Sequence, residues 1–133
     1  MPASTYLSNK LLDHQTGTLA YVMPTVYVGL SSTTPAIGGT GVTEPATGGY
    51  ARVITSAATW QAAAAGATQN NLAITFPLAT GIWLASAVLT HAVLYDAPVG
   101  GNLLSFGALG IAKNILTGDT ARIDVGDLDV TLA

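Results

Sequence analysis

The chain has 133 residues, half of them hydrophobic, yet only 8% are charged and none is cysteine. Its four basic residues, Lys10, Arg52, Lys113 and Arg122, are scattered and outnumbered by seven acidic ones; this argues against a nucleic-acid partner and against a membrane-surface partner. Without cysteine there are no disulfides, thiolate metal sites or thiol nucleophiles, and a charge content this far below the ~25% of ordinary soluble domains implies a surface largely covered by protein.

The length allows one domain over 1–133 with one core. Its start lacks the basic and apolar regions of a secretory signal. Residues 4–14 read as a short helix within an N-terminal segment 1–17: Ser4 is the N-cap, Leu7, Leu11 and Leu12 form one apolar face, and Gly17 suits the left-handed position past the end. A helix this short must dock. Two readings stay open: it plugs its own domain, or it contacts a neighbouring subunit through Leu7 and Leu11.

From residue 25 on, the pattern is β. Residues 25–30 alternate, with Val26, Val28 and Leu30 on one face. Residues 31–49, rich in Gly, Pro, Ser and Thr, form a long exposed loop suited to an arm that orders on a neighbour. A strand is expected at 50–55. Residues 57–67 are ambiguous because alanines favour helix while the setting favours strand; strand followed by loop is the expectation. Residues 71–76 alternate and Pro77 closes them.

The uncharged stretch 78–95 approaches transmembrane length, but Thr80, Gly81, Ser86, Thr90 and His91 interrupt it and no Lys or Arg flanks it. It reads instead as a loop at 80–86 carrying Trp83, then a central strand at 87–96 buried on both faces. A turn at 96–102 leads to a strand at 103–109 and so to a hairpin. A further strand at 113–116, a turn at 117–120 and two short strands at 121–125 and 128–132 complete an all-β fold: a single β-sandwich, jelly-roll-like, with a short N-terminal helix.

The chain offers little chemistry. His14 sits at a helix end, and His91 is mid-strand among apolar residues, where a hydrogen-bonded structural role outweighs that of a base. Asp119, Asp124, Asp127 and Asp129 crowd the C-terminal part, but their spacing does not match an EF-hand loop and Gly118 and Gly126 beside them read as turns. There is no Gly-x-Ser-x-Gly elbow, no paired glutamates for glycoside cleavage, Glu44 being the sole glutamate, and no phosphate cradle. No catalytic residue, metal or cofactor is expected. Among the aromatics, Trp83 in its loop is the candidate exposed anchor, and Tyr50 joins it as a candidate interface residue.

Several segments, in order and spread over nearly the whole chain, look familiar: Leu7-Ser8-Asn9-Lys10-Leu11-Leu12-Asp13-His14, Thr25-Val26-Tyr27-Val28-Gly29-Leu30, Gly48-Gly49-Tyr50-Ala51-Arg52, Thr75-Phe76-Pro77-Leu78-Ala79-Thr80-Gly81-Ile82-Trp83, His91-Ala92-Val93-Leu94-Tyr95-Asp96, Gly100-Gly101-Asn102-Leu103-Leu104 and Gly118-Asp119-Thr120. With these, the chain resembles small bacteriophage virion proteins described as tail-fibre-like, minor tail or capsid decoration proteins. The resemblance implies a β-sandwich that joins a phage particle and no catalytic residue to carry over. The expected function is a capsid decoration (cement) protein on the outer virion surface, made in the host cytoplasm, with the major capsid protein or other virion proteins as partners and a homotrimer as its own assembly. The alternative is a tail fibre or minor tail protein that touches the host.

Overall fold

The computed structural model describes residues 1–132. Helix α1 spans Thr5–Thr16 and obeys both end signals: the Ser4 hydroxyl accepts from Leu7 N at 3.2 Å, and Gly17 takes φ +77° past the C-terminus. None of its residues is fully buried. What holds it is Ser4, itself wholly buried, whose N–H and hydroxyl donate to the carbonyls of Leu104 and Leu103.

Eight strands follow: β1 (Tyr27–Ser31), β2 (Val53–Ile54), β3 (Ala67–Gln69), β4 (Ile74–Thr75), β5 (Leu89–Tyr95), β6 (Leu103–Lys113), β7 (Arg122–Ile123) and β8 (Asp129–Thr131). One antiparallel sheet has the order β2-β1-β5-β6, and two ribbons pair β3 with β8 and β4 with β7. The fold is an all-β sandwich with a short N-terminal helix. Val28, Leu30, Ala92, Leu94 and Leu104 point from one sheet face into the main core, where Ile74, Phe76, Trp83, Ile115 and Leu128 meet them. The opposite face packs Val93, Tyr95 and Leu103 under Val42 and Phe106. The central strand β5 is therefore covered on both sides, as its apolar run requires.

Four expectations are corrected. Residues 31–49 are a loop but not a free arm: Ser32 N donates to Thr43 O at 2.9 Å and Thr43 N to the buried Ser31 hydroxyl at 3.0 Å, so the loop is fastened along the edge of β1. The strand expected at 50–55 shrinks to Val53–Ile54: past Val28 the β1 ladder has no backbone partner from this segment, and the Leu30 N–H donates to the Tyr50 hydroxyl instead. The stretch 57–67 reverses the expected order: a 3₁₀ turn at Ala57–Thr59 and an exposed alanine loop precede β3, since four consecutive alanines have too little side chain to anchor a strand. Finally, β6 runs on to Lys113, so 113–116 is not a separate strand.

Candidate functional site

Of the four residues singled out by sequence, Leu7 and Leu11 lie half-buried on α1, with Leu7 packed against the main core. Trp83 is in a loop as expected, but it is 2% exposed. Its ring meets Tyr50 edge-on at 5.1 Å and Phe76 at 6.1 Å, and its Nε1 donates to Gly48 O at 3.1 Å. Gly48, at φ +71°, accommodates this approach because a Cβ there would stand 2.8 Å from the Trp83 ring. The reading of Trp83 as an exposed anchor is thus corrected: the loop carries the largest core side chain.

Tyr50 is likewise committed internally. Its hydroxyl donates to Glu44 Oε1 at 2.6 Å and accepts from Leu30 N at 2.9 Å, so a side chain takes the place of a ladder partner where β2 has ended. The Glu44 carboxylate also takes Arg52 Nε at 2.9 Å and Nη2 at 2.7 Å. Arg52 Nη1 then donates to the carbonyls of Ala97 and Gly100 at 2.7 and 2.8 Å, and the guanidinium lies 3.7 Å from the centre of the Tyr95 ring. With the side chains of Arg52 and Glu44 only 5% and 21% exposed, this pair ties the 31–49 loop, the sheet and the β5–β6 turn into one unit. Gly29 leaves the room: a Cβ there would stand 2.6 Å from Glu44 Oε1 and 2.8 Å from the Tyr50 hydroxyl. Burial first, and then the Glu44 carboxylate, push the Tyr50 phenol well above its ordinary range. Each polar side-chain atom in this network has a partner within the chain, which makes it a clamp and not a binding site. Sequence reasoning missed it; the scarcity of Glu44 in so charge-poor a chain was the one signal.

Four of the remaining polar candidates also have partners within the chain. His91 Nδ1 shares a 2.8 Å hydrogen bond with the Thr90 hydroxyl, and His14 Nδ1 accepts from Tyr21 N at 3.1 Å. The Asp119 carboxylate caps Leu116 N at 3.1 Å and that of Asp124 pairs with Arg122 at 2.8 Å. Among the described residues no three His, Cys, Asp or Glu side chains gather as a metal site would need.

The surface carries the distinctive feature. Every charged side chain that is exposed lies between Lys113 and Asp129; Lys10, Asp13, Glu44, Arg52 and Asp96 are all partly buried. Elsewhere large apolar side chains stand in water. Around α1 these are Leu12, Leu19, Val22 and Met23, the last two 84% and 88% exposed. An apolar groove of about 240 Å³ opens between Leu7, Tyr21, Pro24 and Trp60. Tyr21 lines it, and its buried hydroxyl has no hydrogen-bond partner among the described residues, a condition that costs about 1–3 kcal/mol until an acceptor arrives. This neutral apolar surface is what the fold leaves unfinished.

Comparison with known proteins agrees with the resemblance read from the sequence. No curated protein matches the chain. A family model described as "Podophage GP4 fiber I protein gp80" matches residues 2–131. The chain belongs to that family and is a phage fibre-related virion protein.

Proposed function

We propose that the chain is a non-enzymatic structural subunit that acts by burying its neutral surface against other chains of the phage particle. The observation that carries this reading is the pairing of Val22 and Met23, 84% and 88% exposed, with an apolar groove and a buried Tyr21 hydroxyl that has no partner among the described residues. Apolar residues scattered singly are ordinary on a protein surface; four within twelve residues, beside an apolar groove, mark an interaction surface. In this reading the helix docks on its own domain through Leu7 and offers Leu12, on its exposed side, to a neighbour.

Two placements are consistent with this chemistry. A fibre component is supported by the family's own description. A capsid decoration protein, clamping adjacent capsid subunits as a homotrimer, is supported by the low charge, which suits dense packing against identical neighbours. Locating the chain in an intact particle map separates them: density on the tail selects the first and density over capsomer joints the second. Particles lacking the chain that still adsorb and release DNA at the normal temperature would contradict both.

A further inference from the structure

We infer that the outer edge of β6 is a strand-addition slot for an extended, basic segment of a different chain. β6 is the last strand of its sheet. The first half of its free edge is already covered by residues 1–4 of this chain: Ala3 bridges Ser105, Ser4 N donates to Leu104 O at 2.7 Å, and Met1 packs over Gly107. Met1 also reaches β8, where its nitrogen donates to Asp129 O and its carbonyl accepts from Thr131 N, both at 3.1 Å. Met1 therefore fills one end of a gap between β6 and β8. The fold shows in itself that this edge accepts an added strand.

Beyond Met1 no described residue bridges the gap. It continues as a groove of about 870 Å³ between residues 107–113 and 119–129, with core side chains such as Leu30, Phe76, Leu89 and Leu128 in its floor. Along 108–113 no backbone partner other than β5 occurs among the described residues. The ladder to β5 also slips here: Leu89 pairs with Lys113 but His91 with Ala108, so residues 109–112 bow out and Ile111 is 82% exposed. A bulge of this kind bends the strand and widens the slot beside it. An extended chain in the slot would have alternate side chains over the apolar floor and the rest at the rim.

The rim chooses the occupant. Arg122 is paired with Asp124, which leaves two cations, Lys113 and the Met1 ammonium, among three lining carboxylates, Asp119, Asp127 and Asp129. The field favours lysine or arginine at the outward positions. A second copy cannot supply them: Lys10 is on α1, Arg52 is locked on Glu44, and Lys113 and Arg122 belong to the slot itself. Only the origin of the segment, another virion chain, rests on the assembly reading; the slot stands on its own geometry.

The test uses the full chain and three nine-residue peptides: alternating valine and lysine, alternating valine and glutamate, and the valine–lysine peptide with a central proline. Amide hydrogen exchange is followed residue by residue. The valine–lysine peptide should slow exchange of edge amides within 108–113 by about tenfold or more, the other two should not, and Asp127→Asn with Asp129→Asn, both exposed and off the core, should weaken binding about fivefold. Equal binding by the glutamate peptide, binding that leaves 108–113 unprotected, no binding, or a dimer that protects these amides without peptide would each overturn the inference. None of these results bears on where the chain sits in the particle, so the two readings fail separately.

Discussion

At the residue scale, stability concentrates in the Glu44–Tyr50–Arg52 clamp. Removing one partner of a buried ion pair leaves the other charge uncompensated. Arg52→Ala should therefore lower unfolding free energy by about 3 kcal/mol in denaturant titrations, whereas exposed Arg122→Ala should change it by less than about 1 kcal/mol. Tyr50 adds a pH dependence with a defined sign. Its folded pKa is raised by burial and by Glu44. Above pH ~10 the unfolded chain releases a phenol proton that the folded chain retains, so the stabilisation is complete below that pH and falls above it. Tyr50→Phe should cost about 1–3 kcal/mol at pH 8 through its lost hydrogen bonds. That deficit should shrink above pH 10 by up to about 1.4 kcal/mol per pH unit; a constant deficit would mean the phenol titrates normally.

Little of this clamp was legible beforehand. Tyr50 and Arg52 stand in an alternating run that reads as strand, and Glu44 in a Gly/Pro-rich loop that reads as mobile; their meeting depends on the sheet bringing residue 29 beneath residue 44. Trp83 was misread for a related reason. Loop composition reports backbone freedom, whereas a tryptophan's fate is decided by the apolar area it can bury, here against Tyr50 and Phe76.

At the element scale, local signals served well. Ser4 and Gly17 bound α1, alternation in 25–30 placed the inward face of β1, that in 71–76 held for Ile74 and Phe76 but not for the exposed Leu72, and the 96–102 turn closes with Asp96 accepting from Asn102 N at 2.6 Å. What the pattern lacked was pairing. The two last strands look like neighbours about Gly126, yet β7 joins β4 and β8 joins β3. The wholly buried Asn70 helps to hold that arrangement: its Nδ2 donates to Leu72 O and Asp124 O at 3.0 and 2.8 Å, and its Oδ1 accepts from Leu128 N at 3.0 Å. Asn70→Ala should cost about 2 kcal/mol, with faster amide exchange at Gly126 and Leu128 before the rest of the sheet. Ser4→Ala should cost about 1–2 kcal/mol and release the α1 amides first, since no α1 residue is fully buried. Uniform loss of protection in either variant would show that these anchors do not act locally.

At the scale of the whole molecule, low charge was the most informative feature of the sequence, and the structure gives it a geometry. The exposed charges collect between residues 113 and 129, and the segment from Leu12 to Met23 leaves four large apolar side chains exposed. Oxidative footprinting of the free protein and of intact particles tests the assembly reading most directly, because Met23 is 88% exposed in the free chain and its thioether reports cover without mutation. Burial against other virion chains requires Met23 and Leu19 to react several-fold more slowly in the particle than in solution. Equal rates in both would mean that this surface faces water in the virion as well.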